Sequence, residues 1–385
     1  MTPSETTTHA AAGPAALTGH FVLQPGSRNA IVGTRPITTA GLLGKLLRGL
    51  QLPAAQMRLG HVFTLCAHAH QRACALAFGG QPEPLALLRW ETVRDHLRSM
   101  VLEWPQRLGQ PAPQAEGLKW LQSCPIALGG GARPSVQAVA ESLMALNEWL
   151  GKDASFPAQC LAQWRQRGEG LRVPLRPLNV LSTQASVQNE NLQLLGRSIE
   201  ADADANANAN FPGRPHWQGV CAETGPWTRL RHAAKWRQSD ESGDSDNGAM
   251  PATLSASDRI GARWIDLCEL AAAPALAEDA VHDPMLSSGS LKLSDTETIS
   301  WCEMARGLLL HWVRFDAQKA IADYRIISPT EWNFHPEGAL AQALSEIQSA
   351  DSAAAQTLAA AFDACVEYSV QIGGRLDLSA GGRNA

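Results

Sequence analysis

Apolar residues recur at helical spacing in five stretches of the first half of the chain: 41–52, 61–78, 85–104, 135–150 and 158–167. Each predicts an amphipathic helix, because positions three and four apart share one face. Ser135 follows Pro134 and is placed to cap the fourth of them. A further helical pattern covers 260–270, with Asp258 near its start. Segments 308–315 and 320–328 instead carry Trp312, Tyr324, Ile326 and Ile327, good strand formers that predict a β pair. The Ala-rich stretch 350–369 predicts a last helix carrying Cys365 near its end.

Three polar stretches interrupt these elements. Residues 1–20, rich in Thr, Ala, Pro and Gly, are expected to be disordered. The repeating Ala, Asp and Asn of 201–210 have no apolar face and read as a surface linker. Ser, Asp and Gly dominate 238–257, which reads as a mobile loop. The pattern as a whole gives a mainly α (α+β) chain with a small β element.

Composition narrows the function classes. A chain of 385 residues with twelve tryptophans can bury a large core. Its net charge of −5 offers no basic footprint for nucleic acid or an anionic membrane. No apolar run reaches the roughly 20 residues that span a bilayer. The N-terminus lacks a basic region and a twin arginine, so export is not indicated and a cytoplasmic location is expected. Eight irregularly spaced cysteines suit a reducing compartment better than a disulfide framework.

Two cysteines stand in patterned surroundings. Phe63-Thr64-Leu65-Cys66-Ala67-His68-Ala69-His70 lies early in the chain, and Asp363-Ala364-Cys365-Val366-Glu367-Tyr368-Ser369-Val370-Gln371 lies near its end. They resemble the paired ligand motifs of nickel–iron hydrogenase large subunits, C-G-x-C-x-x-x-H and D-P-C-x-x-C-x-x-H. Each keeps one cysteine of two. Phe63 replaces the first cysteine of the early pair, Tyr368 the second of the late pair, and Gln371 the final histidine. Three more segments match in chain order. Glu223-Thr224-Gly225-Pro226-Trp227-Thr228-Arg229 is similar to E-x-G-P-L-A-R, Glu303 to Trp312 to E-A-P-R-G-x-L-x-H-W, and Pro329 to Asn333 to P-[ST]-x-W-N. With its degenerate ligand set the chain resembles the hydrogenase expression/formation proteins of the HupK/HoxV type. That implies a large-subunit-like fold with a helical core, one domain over 21–371 and a retained tail at 372–385.

The resemblance also implies roles. Cys66 would bridge metals and Cys365 would be a terminal metal ligand, with His70 hydrogen-bonded to the Cys66 sulfur. Arg306 and Thr330 would donate to iron-bound cyanides, which are anionic acceptors. Two soft thiolates suit a low-valent iron whose remaining positions are filled by diatomic ligands, so an Fe(CN)2(CO) fragment is expected and nickel is not. Between Glu5 and Glu83 no acidic residue occurs, so the enzyme's proton-relay glutamate has no counterpart. His68 and His70 point apart on a helix and are poor joint ligands, and Cys74 reads as core. These features imply a non-catalytic assembly factor holding the iron unit during maturation. Its partners would be the large-subunit precursor, a small maturation chaperone and the cyanide/CO-loading machinery. The alternatives are a metal-free structural paralogue and, with two thiolates missing, an active hydrogenase.

Overall fold

The computed structural model describes residues 19–377 other than 40, 110–114, 127, 129–132, 206–209, 231–251 and 374. Helices supply most of it, and two four-stranded sheets and a short β pair complete it. The first sheet has the order β10-β9-β1-β2, built from β1 His20–Leu23, β2 Ile31–Thr34, β9 Glu367–Ile372 and β10 Arg375–Asp377. β1 runs parallel to β9, so the two ends of the described chain are joined by one ladder. The side chains of Gln24 and Gln371 extend that join with a hydrogen bond of 2.8 Å. β3 Arg172–Pro174 pairs with β4 Thr253–Ser255.

The second sheet is an antiparallel meander of β5 Ser288–Lys292, β6 Glu297–Met304, β7 Gly307–Phe315 and β8 Ile321–Ile327. β7 is buried along almost its whole length because both faces are covered, which is why its sequence reads as a continuous apolar run. Alternation sorts its side chains. Leu308, Leu310 and Trp312 join Leu195, Ile199 and Trp332 on one face. Leu309 and Val313 join Ala69 and Ala73 of the helix Ala67–Ala77 on the other. His311 belongs to this second face by the same period of two, which sends it toward that helix.

Most of the expected elements are present, with instructive shifts. Ser135 caps the helix Val136–Lys152 through the Ala138 N–H, 3.1 Å away. The 85–104 pattern is a helix, Leu85–Arg98, that passes through a π turn at Ser99–Glu103 just ahead of Pro105. The 61–78 pattern is two helices, Leu52–Val62 and Ala67–Ala77, because the chain breaks at Phe63 to Cys66. The last helix, Ser352–Phe362, stops at Asp363, whose φ of +46° is left-handed, so Cys365 lies beyond it. The expected linker at 201–210 is helical as far as Asp204, the end of Ala185–Asp204, and 206–209 fall outside the described residues. Residues 238–251 of the expected loop are also outside, whereas Ser255 and Asp258 form a capping box for Ala256–Ala272. Residues 1–18 of the expected disordered terminus fall outside as well, but His20 opens β1. In the expected tail, β10 is already paired.

Candidate functional site

Cys66 sits at the N-cap of Ala67–Ala77, and its carbonyl accepts the His70 N–H at 3.2 Å. A helix start leaves backbone donors without partners. Here the buried Glu91 meets two of them, accepting from His68 N at 2.8 Å and Ala69 N at 3.0 Å. Burial pushes the Glu91 carboxyl up to about 7 against the pull of those N–H groups and of His68. Burial, then Glu91 and Cys365, raise the half-buried Cys66 thiol well above its ordinary range. It is therefore protonated at neutral pH, and a metal has to displace that proton to bind.

His70 is buried with its ring stacked on Phe63, centroids 3.7 Å apart and 7° from parallel. Phe63 thus fills space against the neighbouring imidazole. His70 Nδ1 lies 3.0 Å from His311 Nε2, and His311 Nδ1 lies 2.7 Å from the Tyr324 hydroxyl. Tyr324 reaches on to Cys74, which is a core thiol as expected. Burial holds His311 down to about 3, and burial, His311 and Arg35 hold His70 well below its ordinary value. Both rings are neutral. His68 turns the other way, toward Glu83 at 3.4 Å.

Arg306 occupies the two-residue turn between β6 and β7, where Met304 pairs with Gly307. Gly307 has φ +124°, and a Cβ there would lie 2.5 Å from Thr224 Oγ1, so both backbone and space demand glycine. That contact ties the segment containing Glu223 and Thr224 to the hairpin. Asn333 ties it further, accepting from Thr224 N at 2.9 Å and donating to Phe362 O at 3.1 Å. Glu223 itself forks with Arg259 at 2.8 and 3.0 Å.

The Arg306 guanidinium is buried and committed to carboxylates. Nη1 pairs with Asp95, and Nε lies 3.1 Å from Asp363 Oδ2 without the alignment of a hydrogen bond. Burial works against its charge, but Asp363, Asp95 and Glu103 overcome it and hold the guanidinium ionised. Asp363 also faces Arg263 and, at 3.4 Å, Arg107. Burial would raise the Asp363 carboxyl, yet Arg263, Arg306 and Arg107 drive it well below the usual carboxylate range.

Thr330 stands in the short helix Pro329–Asn333 with its hydroxyl 3.1 Å from Cys365 Sγ and 3.4 Å from the Cys365 N–H. Cys66 feels the charges of both Cys365 and Arg306. Thr330 thus touches Cys365, Cys66 lies in the field of Cys365 and Arg306, and His70 lies one turn from Cys66 with its Nδ1 on His311. Four further buried charged residues nearby were not singled out in the sequence: Glu91 and Asp95, one turn apart on Leu85–Arg98, and the pair of Arg35 with Glu331. The signal for the first two was present, since charges spaced by four on an apolar helical face call for buried partners.

A separate cluster, His216, Cys221 and His335, brings three potential ligand atoms within 4.8 Å of one another. His335 Nδ1 accepts the Glu337 N–H at 3.1 Å, which leaves its proton on Nε2, 3.9 Å from the Cys221 sulfur. A metal-binding imidazole normally donates through its second nitrogen, so this cluster is a hydrogen-bonded set rather than an open coordination shell. Among the described residues, no helix is long and apolar enough to cross a membrane.

Residues 186–365 match the family model described as nickel-dependent hydrogenase. The hydrogenase expression/formation protein HoxV of Cupriavidus necator is 33% identical over 92% of this chain and 96% of that one. This chain belongs to the family of hydrogenase expression/formation proteins. A second relative, the expression/formation protein HupK of Rhizobium leguminosarum bv. viciae, is 28% identical over 86% of this chain and 90% of its own. The crystal structure of an NAD+-reducing NiFe hydrogenase in the H2-reduced state aligns with 89% of this chain and 97% of that one, at 13% identity and a TM-score of 0.49. Membership supports a role in hydrogenase maturation and agrees with the mixed α+β, large-subunit-like fold.

Proposed function

We propose that this chain is a non-catalytic scaffold that holds an Fe(CN)2(CO) unit between Cys66 and Cys365 on its way to a hydrogenase large-subunit precursor. The observation that carries the reading is the contact of Thr330 with Cys365, 3.1 Å, with the Cys66 thiol in the field of both Cys365 and Arg306. The donors fit such cargo. Two soft thiolates suit iron already carrying strong-field diatomic ligands, and nickel in this family's enzymes would need four. A hydroxyl and a guanidinium beside the thiols are suitable donors to anionic cyanide. Cargo uptake displaces the Cys66 proton, so binding weakens as pH falls. The donor would be a small maturation chaperone linked to the cyanide/CO-loading machinery.

A second reading, a metal-free paralogue that stabilises the precursor, is favoured by one observation. Arg306 already faces Asp95 and Asp363 and would have to share its donors with a ligand. Anaerobic purification from cells making hydrogenase separates the two. The scaffold reading expects iron with cyanide and carbonyl stretching bands in the infrared. Iron-free protein without those bands, still bound to the precursor, would support the paralogue instead.

A further inference from the structure

Arg35 directly follows β2 and is buried, although the resemblance that located the other site residues does not touch it. Its Nη1 donates to Ser328 Oγ at 2.7 Å and to Glu331 Oε1 at 3.1 Å, and Thr38 donates to the same carboxylate at 2.7 Å. Ser328 and Glu331 flank Thr330, so one short helix holds Arg35 through two residues and Cys365 through the residue between them. We propose that Arg35 is a second anion-binding guanidinium of the dithiol site, set to receive a compact anionic ligand carried by the metal unit. This rests on the scaffold reading.

Three observations converge on it. Burial opposes the Arg35 charge, and Cys365, Glu331 and Cys66 reinforce it, which places both thiols in the field of this guanidinium. Arg35 is ion-paired with Glu331, and Arg306, the other cation of the site, with Asp95 and Asp363. A unit bound by two thiolates and carrying anionic ligands brings net negative charge into a buried place, where an unbalanced charge is costly. A planar guanidinium meets that charge with directed donors, which lysine does not.

The test uses the metal-free full chain. Cys66 and Cys365 are alkylated separately with iodoacetate and with iodoacetamide, and each site is followed by mass spectrometry. Both reagents react with the same thiolate, so the ratio of their rates cancels thiolate content and reads only the attraction for an anion. Arg35→Gln should lower the ratio at least about tenfold, the size expected of one charge about 12 Å away at an effective dielectric of about 20. Glu331→Gln should raise it, and Arg35→Lys should leave it within about twofold, since the charge is retained. Because Arg35→Gln strands a buried carboxylate, the double variant Arg35→Gln/Glu331→Gln serves where the single one fails to fold, and its ratio should also fall. An unchanged ratio in both would overturn the proposal. Wild-type protein that never carries iron would remove the scaffold reading while leaving this ratio as it is, so the two failures are distinguishable.

Discussion

Asp363 is the junction of the site, and replacing it gives the most demanding test of the geometry. Its carboxylate faces Arg263, Arg306 and Arg107, all buried. In Asp363→Ala, Arg306 keeps Asp95 and Arg107 keeps Glu103 at 2.8 Å. Among the described residues, Arg263 keeps a 3.3 Å hydrogen bond to the Ser99 hydroxyl and no carboxylate. One buried cation stranded in this way costs about 3–5 kcal/mol. The left-handed φ of +46° adds about 1 kcal/mol for alanine, a cost that asparagine largely escapes. Asp363→Ala should therefore lose about 4–6 kcal/mol, a large share of the ~5–15 kcal/mol typical of a domain. Asp363→Asn should lose somewhat less. Urea unfolding followed by tryptophan fluorescence, with the slope held common, reads both. Adding Arg263→Met to Asp363→Ala should recover part of the loss, because it removes the stranded charge. The acid limb is a second readout. A carboxyl whose folded value lies below its unfolded one stabilises the fold above about pH 4, and that contribution is lost as pH falls through the folded value. Asp363→Asn should flatten this limb. An Asp363→Ala protein within about 1 kcal/mol of wild type would refute the buried network as the anchor of Arg306.

Other expectations follow from the same geometry. Cys66→Ser should abolish iron retention in anaerobically purified protein with the fold intact, whereas Cys74→Ser should retain iron; undiminished cyanide bands in Cys66→Ser would make Cys66 a core thiol. Thr330→Val removes the hydroxyl beside Cys365 at nearly constant volume and should shift a cyanide stretching band of loaded protein, with unchanged bands refuting its contact with the cargo. Glu91 gives a pH signature of the opposite sign to Asp363. Its folded carboxyl, near 7, binds a proton more tightly than the unfolded one, so stability should fall by about 3 kcal/mol as pH rises from about 4.5 to 7. Glu91→Gln should remove that slope, and an identical slope in the variant would show that another group causes it.

Much of this was legible along the chain. Helices, the β7–β8 pair and the Ser135 cap follow from spacings of two to four residues, and such patterns are contained within short windows. The expectation that Cys66, His70, Arg306, Thr330 and Cys365 share one site came from motif order. What no window contains is which groups meet across the chain. His70 and His311 are 241 residues apart, Arg306 and Asp95 are 211 apart, and Arg35 and Glu331 are 296 apart. Their pairing is enforced by burial, since each would otherwise leave a polar or charged group unpaired away from water. The break that puts Cys66 at a helix start is tertiary for the same reason, because Glu91 of another helix satisfies the N–H groups it exposes. Sequence determined which residues could carry the chemistry; packing decided which partners they meet, Thr330 with Cys365, Arg306 with Asp95 and Asp363, and Arg35 with Glu331, because only the assembled interior brings those partners within reach.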